Sequence, residues 1–197
     1  VQESAGHLLE DELGWRVGLA YNTEVMGETG TFGRKSYKEI LLVKYFRQAL
    51  SKLNQWLTPA LLEDAIKTFE SHMSSASLMQ INEEKYRCIR DGIPVKVKKP
   101  NGQIEEKKAI VIDFKNPDNN DFLAVKEMKI HGDLYRRRTD IVGFVNGIPL
   151  LFIELKKNSV DVQNAYTDNY TDYLDTIPHL FYYNAFLMLS NGTEAKV

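Results

Sequence analysis

Residues 139–157, TDIVGFVNGIPLLFIELKK, form the most apolar stretch of the chain, interrupted once by Asn146-Gly147. Asn-Gly between two apolar runs is the strongest short-range hairpin signal, because both positions of a tight hairpin turn need positive φ. A hairpin this apolar needs covering layers, so the rest of the chain must pack on it. Its polar side chains are pushed to the open ends. Asp140 precedes the first strand, and Glu154 and Lys156 stand where the second strand finishes. Side chains two apart share a strand face, so Phe152, Glu154 and Lys156 point one way and Leu151, Ile153 and Leu155 the other.

Register decides whether Asp140 joins Glu154. A two-residue Asn146-Gly147 turn pairs Val145 with Ile148, sets Asp140 opposite Ile153, and sends the carboxylates to opposite faces. A three-residue loop, Asn146 to Ile148, pairs Val145 with Pro149 and sets Asp140 opposite Glu154. The expectation is the second register, or a bulge with the same effect. Adjacent carboxylates repel and stay partly protonated unless a cation lies between them. A hard divalent ion such as Mg²⁺ suits oxygen ligands and keeps positions open for water and phosphate. Such an ion acidifies water and neutralises charge on a transferring phosphoryl group, and Lys156 can position the water or stabilise the developing charge. That chemistry is phosphodiester hydrolysis. On spacing alone, a salt-bridged strand end weighs equally.

E-x-K by itself carries little, since it recurs at Glu83, Glu105, Glu106, Glu127 and Glu194, mostly in charged stretches that read as solvated faces. Asp113 and Lys115 also follow an apolar strand and form the main rival site, although no acidic partner is evident there.

The remaining chain divides into a helical part, about 1–92, and a strand-rich part, about 93–197. ESAGHLLEDELGW reads as a helix stopped by Gly14, and residues 20–35 read as a surface loop with three glycines. SYKEILLVKYFRQALSKLN carries apolar residues at helical spacing. Thr58-Pro59 starts a second long helix, and SASLMQINEEKYRCIRDG forms a third. Pro100-Asn101-Gly102 turns a charged hairpin, SVDVQNAYTDNYTDYLDTI reads as a helix capped by Ser159, and NAFLMLS as a last buried strand. The order predicts an α/β or α+β fold in one domain, a mixed sheet packed against helices. The C-terminal LMLSNGTEAKV reads as a strand and turn without a stopping element, as expected of a segment of a longer chain.

A net charge of −2 supplies no global basic field, so any nucleic-acid contact must come from local patches. The lone Cys88 makes a reducing, cytoplasmic setting the expectation, and no apolar run reaches membrane-spanning length. The four histidines show no zinc-ligand spacing.

Asp140 followed fourteen positions later by Glu154-Leu155-Lys156 resembles the PD-(D/E)xK nuclease signature. RRRTDIVGFVNGIPLLFIELKK, with ELGW, SYKEILL, LSKLN, VIDFKNPDNNDF and IPHLFYYNAFLMLSNGTEAKV, resembles more closely the N-terminal nuclease domain of the R subunit of type I restriction enzymes. The resemblance implies a restriction-endonuclease-like core with the acids at the open edge of the sheet. It implies one or two Mg²⁺ ions held by Asp140, Glu154 and the carbonyl of Leu155, a catalytic Lys156, and cleavage of double-stranded DNA. It also implies methyltransferase and specificity subunits as partners, and an ATP-driven motor elsewhere in the subunit. No P-loop occurs in this sequence, so ATP is expected to act only through that motor. Thr139 stands where the signature has Pro. Related nucleases carry Q-x-x-x-Y on the helix after the E-x-K strand; Asn169 and Tyr173 are the counterpart, with Asn for Gln, and an exposed helix face is the competing account. Glu3 and Glu39 are candidates for an early-helix acid.

Arg136, Arg137 and Arg138 lead into Asp140, and Lys157 lies across the hairpin, so these four are candidate phosphate anchors, with ordinary ion pairs as the alternative. The competing functional reading is a non-catalytic DNA- or protein-docking module that keeps the nuclease fold. Another nuclease of the superfamily, such as a repair enzyme, fits the longer matching segments less well.

Overall fold

The computed structural model describes residues 1–197. The first helix, α1 (Gln2–His7), continues through a π-helical turn at Leu8–Glu12 and stops before Gly14, whose φ is +67°. A short strand, β1 (Arg16–Leu19), follows. Three amphipathic helices come next: α2 (Val43–Leu53), α3 (Pro59–Glu70) and α4 (Leu78–Asp91). Their ends follow the expected local chemistry. The Thr58 side chain accepts from the Leu61 amide, Ser77 and Gln80 form a reciprocal capping box, and Gly92 takes a φ of +87° just beyond α4. The hairpin β2 (Ile93–Lys98) and β3 (Ile104–Ala109) turns at the expected Pro-Asn-Gly.

The second half contributes β4 (Phe122–Lys126), β5 (Lys129–His131), β6 (Arg136–Arg138), β7 (Ile141–Val145) and β8 (Ile148–Leu155). A π-helical turn at Ala165–Tyr170 runs into α5 (Thr171–Thr176), and β9 (Phe186–Ser190) and β10 (Ala195–Lys196) finish the sheet. The central sheet runs β1-β4-β7-β8-β9-β10. β1–β4 and β8–β9 are parallel and the other pairs antiparallel, so the sheet is mixed and flanked by helices, as the element order predicts. One face packs Val125, Val142, Phe144 and Phe152 with Phe46, Phe69 and Tyr173 of the helices. The other packs Ala124, Ile141 and Ile153 with Leu9. No helix is long and apolar enough to cross a membrane.

Four expectations need correction. The helix expected from residue 36 begins at Val43, because 37–42 is drawn into the core as irregular chain: Ile40, Leu41 and Leu42 are buried and the Leu42 amide donates to the Gly147 carbonyl at 2.9 Å. The 20–35 segment is not simply a surface loop. Phe32 and Arg34 are buried, and Arg34 donates twice to Glu24, at 2.7 and 2.5 Å, and also to the carbonyls of Glu39 and Lys129. The helical first part contains β1, whose pairing to β4 depends on tertiary contact. Ser159 caps nothing; Asp161 accepts the Gln163 amide at 2.8 Å where the chain starts to coil.

The central hairpin has the two-residue turn, Val145 opposite Ile148, and not the three-residue loop. Asn146 and Gly147 have φ of +54° and +80°, as a tight hairpin turn requires. The register then slips by one: Phe144 pairs with Pro149 but Gly143 pairs with Leu151. Leu150 is the extra residue of a bulge. Its carbonyl accepts from the Ala185 amide at 2.9 Å and the Asn184 side chain at 3.2 Å, so contacts outside the hairpin hold the bulge. The slip carries Ile141 opposite Ile153 and brings Asp140 level with Glu154. The expected outcome is reached by the bulge.

The turn is also buried. The Asn146 side chain donates to the Val111 carbonyl and to Asn120 and accepts from the Asp121 amide, each at 2.8 Å. A Cβ on Gly147 would lie 2.6 Å from the Leu42 carbonyl oxygen and 2.7 Å from the Phe46 amide nitrogen. Gly147→Ala combines positive-φ strain with a collision against backbone, so urea unfolding should show a loss of about 2–4 kcal/mol. A loss below about 1 kcal/mol would mean that the turn is free to shift.

Candidate active site

Asp140 sits between β6 and β7, and Glu154 on β8 next to it. Thr139 is buried, and both its amide and hydroxyl donate to the Met128 carbonyl, which fixes the approach to Asp140. The Glu127 amide donates to the Asp140 carbonyl at 2.8 Å, and Gln2 of α1 donates to the same oxygen at 3.1 Å. Across the hairpin, the Leu155 amide donates to the Asp140 carboxylate at 2.7 Å. The carboxylate is therefore aimed by the backbone of the strand that carries Glu154.

Glu154 is 3% exposed, and its Oε2 is buried without a hydrogen-bond partner. Burial, reinforced by the neighbouring Asp140 charge, pushes its carboxyl up to about 8. Burial also raises Asp140, against the pull of the Leu155 amide. Buried polar atoms are almost always satisfied, so an orphaned carboxylate oxygen beside a second carboxylate is a position that a cation could fill. No third Asp, Glu, His or Cys gathers with the pair to complete a metal cluster. Two carboxylates with the other positions left to carbonyl, water and phosphate suit Mg²⁺, which keeps several waters.

Lys156 leaves β8 beyond Glu154, and its amide donates to Ser190 at 2.8 Å. Its ammonium donates to the Asn169 side-chain oxygen. Four residues on, Tyr173 is buried against Phe152, and its hydroxyl donates to the Arg138 carbonyl at 3.1 Å. Burial and the Glu154 charge raise the Tyr173 phenol. Asn169 and Tyr173 thus both face the site, one against the lysine and one beneath the acids. The i, i+4 spacing is what made this legible.

Other candidates separate. Glu3 is exposed and pairs with Lys126 at 2.9 Å, while its neighbour Gln2 touches Asp140. Glu39 is directed elsewhere: its carboxylate accepts the Lys35 amide at 2.8 Å, in a recess shared with Arg47, Glu63 and Glu70. Arg137 is tied to Asp172 at 2.5 and 2.7 Å, whereas Arg136, Arg138 and Lys157 are exposed. Asp113, the rival acid, accepts from Lys115, Asn116 and Asn119 and organises a turn. Glu127, passed over among the E-x-K repeats, adjoins Asp140 and has a φ of +54°. That left-handed backbone has no sequence signal, because glutamate seldom adopts it.

Fold and site together define a mixed α/β protein that presents two carboxylates and a lysine at one end of a bulged hairpin. Residues 1–197 match the family described as Type I restriction enzyme R protein N terminus, and the chain belongs to that family. It is 31% identical over 94% of its length to the type I restriction enzyme HindI endonuclease subunit of Haemophilus influenzae. It is 30% identical over 83% to a putative type I restriction enzyme MjaIXP endonuclease subunit of Methanocaldococcus jannaschii. These alignments span only 17% and 16% of the two relatives.

Proposed function

We propose that this chain is the nuclease domain of a type I restriction R subunit and hydrolyses phosphodiester bonds of double-stranded DNA with Mg²⁺. The observation that carries the reading is the buried, unpartnered Glu154 oxygen beside Asp140. Asp140 and Glu154 would hold the ion, with the Leu155 carbonyl as a further ligand; bound there, it supplies charge neutralisation and an acidified water. The chain's own groups do the rest. The Leu155 amide keeps Asp140 turned toward Glu154. Asn169 holds the Lys156 ammonium at the strand end, where it can meet charge developing on a phosphate oxygen. The oxygen of water joins phosphorus, the bond to the leaving oxygen breaks, and a proton passes to that oxygen. In this reading the domain lacks sequence preference and works in the cytoplasm with methyltransferase and specificity subunits, and ATP acts through the motor of the full-length subunit.

Calorimetry tests the site directly. Titrating Mg²⁺ or Mn²⁺ should give a saturable isotherm with this chain and none with Asp140→Ala. Binding should strengthen as pH rises toward 8, because ligation displaces the proton held by Glu154. A wild-type chain that binds neither ion would favour the non-catalytic docking module.

A further inference from the structure

The strands β5 and β6 form a small ribbon that leads straight into Asp140. Lys129 pairs with Arg138, Ile130 with Arg137, and His131 with Arg136. Directly opposed residues share a face, and alternation puts Lys129, His131, Arg136 and Arg138 on one side. The other side faces the protein, with Ile130 buried and Arg137 bound to Asp172. The ribbon is therefore apolar and ion-paired beneath, and basic above.

The basic side is braced from the 20–38 segment. The Tyr21 ring lies 4.8 Å from the Lys129 ammonium and 4.6 Å from the Arg138 guanidinium, so one aromatic face group gathers both cations. Asn22 accepts from Lys129 at 3.3 Å, and the buried Arg34 holds the Lys129 carbonyl. Acidic neighbours are few: Glu127 lies 3.8 Å from Arg138, and Asp133 is taken by Lys38 at 3.0 Å. Burial, together with the charges of Arg136, Arg34, Lys129 and Lys38, lowers His131, whose ring lies tilted against Tyr37 with centroids 4.7 Å apart. Three permanent cations therefore line a ribbon that ends two residues before the acid.

We infer that this ribbon is a backbone rail for duplex DNA, with Lys129, Arg136 and Arg138 engaging phosphates of one strand and Tyr21 positioning Lys129 and Arg138. The inference rests on the nuclease reading for the identity of the polyanion. It assigns Lys129 to DNA contact, gives Tyr21 the positioning of Lys129 and Arg138, and makes Arg137 a tether for the ribbon. Side chains two apart along a strand are spaced by roughly 7 Å, so Arg136 and Arg138 can reach different phosphates. Such contacts carry no base information and make binding steeply salt-dependent.

The test is fluorescence anisotropy of a labelled duplex against KCl concentration, in EDTA and in the Asp140→Ala background, so that neither metal nor cleavage contributes. Each lost phosphate contact should lower the slope of log affinity against log salt by about one. Lys129→Gln with Arg136→Gln should therefore lower it by about two and weaken binding at least tenfold at low salt. Lys107→Gln with Lys108→Gln, on the β2–β3 hairpin, should leave both unchanged. Tyr21→Ala should weaken binding roughly threefold with the slope retained, and Tyr21→Phe should restore it. Equal slopes for the parent and the Lys129/Arg136 variant, with matched thermal melts, would overturn the rail. Rail and nuclease reading can fail separately: metal binding at Asp140 with an unchanged slope removes only the rail, and a reduced slope without metal binding removes only the nuclease.

Discussion

Lys156→Gln should slow DNA cleavage by the full-length R subunit about 10³-fold while leaving the Mg²⁺ isotherm of this domain intact. The side chain stands just beyond Glu154 and is held by Asn169, so in the proposed reaction it would meet the phosphate and not the ion. Losing a positioned charge that acts on developing negative charge typically costs 10²–10³ in rate, and a lost proton-transfer role 10²–10⁴. Glutamine keeps much of the length and the hydrogen bond to Asn169 but carries no charge. Parallel loss of metal affinity and cleavage would make Lys156 part of the ion site. Retained cleavage would remove it from catalysis altogether.

Glu154→Gln should stabilise the metal-free protein at alkaline pH. The folded carboxyl titrates at about 8, while the unfolded one titrates near the ordinary 4.5. Between those values the folded state holds a proton that the unfolded state has released. Stability of the wild type therefore falls as pH rises from about 4.5 to 8, then levels off. The full effect is up to roughly 5 kcal/mol, and some relaxation around the charge will reduce it. Glutamine has no proton to lose, so the variant should match wild type near pH 4 and melt roughly 5–15 °C higher at pH 9. Saturating Mg²⁺ at pH 9 should narrow the gap by stabilising only the wild type. Coincident pH profiles in EDTA would show that Glu154 is not buried as a charge.

The central hairpin was legible because its signals are local. Asn146-Gly147 marks the turn, though it closes with two residues and not the expected three, strand alternation joins Glu154 to Lys156, and helical spacing joins Asn169 to Tyr173. What escaped depends on distant partners. The bulge at Leu150 is held by Asn184 and Ala185, which lie beyond the intervening helix. The late start of α2 follows from Leu42 bonding the Gly147 carbonyl. The Arg34–Glu24 pair is buried inside a segment whose glycines and polarity suggested solvent. Arg136, Arg137 and Arg138 look alike in sequence, and only the pairing of β5 with β6 turns the middle one inward. Glu39 sits on a promising motif and is spent on a neighbouring amide.

The bulge makes the hairpin an odd-parity device. Two strands joined by a two-residue turn place Asp140 and Glu154 out of phase, and the single extra residue at Leu150 brings them back into phase. Adding one residue between Leu151 and Glu154 with the bulge kept would leave an apolar hairpin able to pack, yet would put Glu154 and Lys156 on the wrong side from Asp140, whereas deleting Leu150 itself would remove the bulge and keep Asp140 opposite Glu154. While the bulge persists, length changes between Leu151 and Glu154 are thus tolerated only in pairs, whereas the exposed tip between β2 and β3 has no such constraint. The sheet is insensitive to this phase as architecture, and the site depends on it entirely.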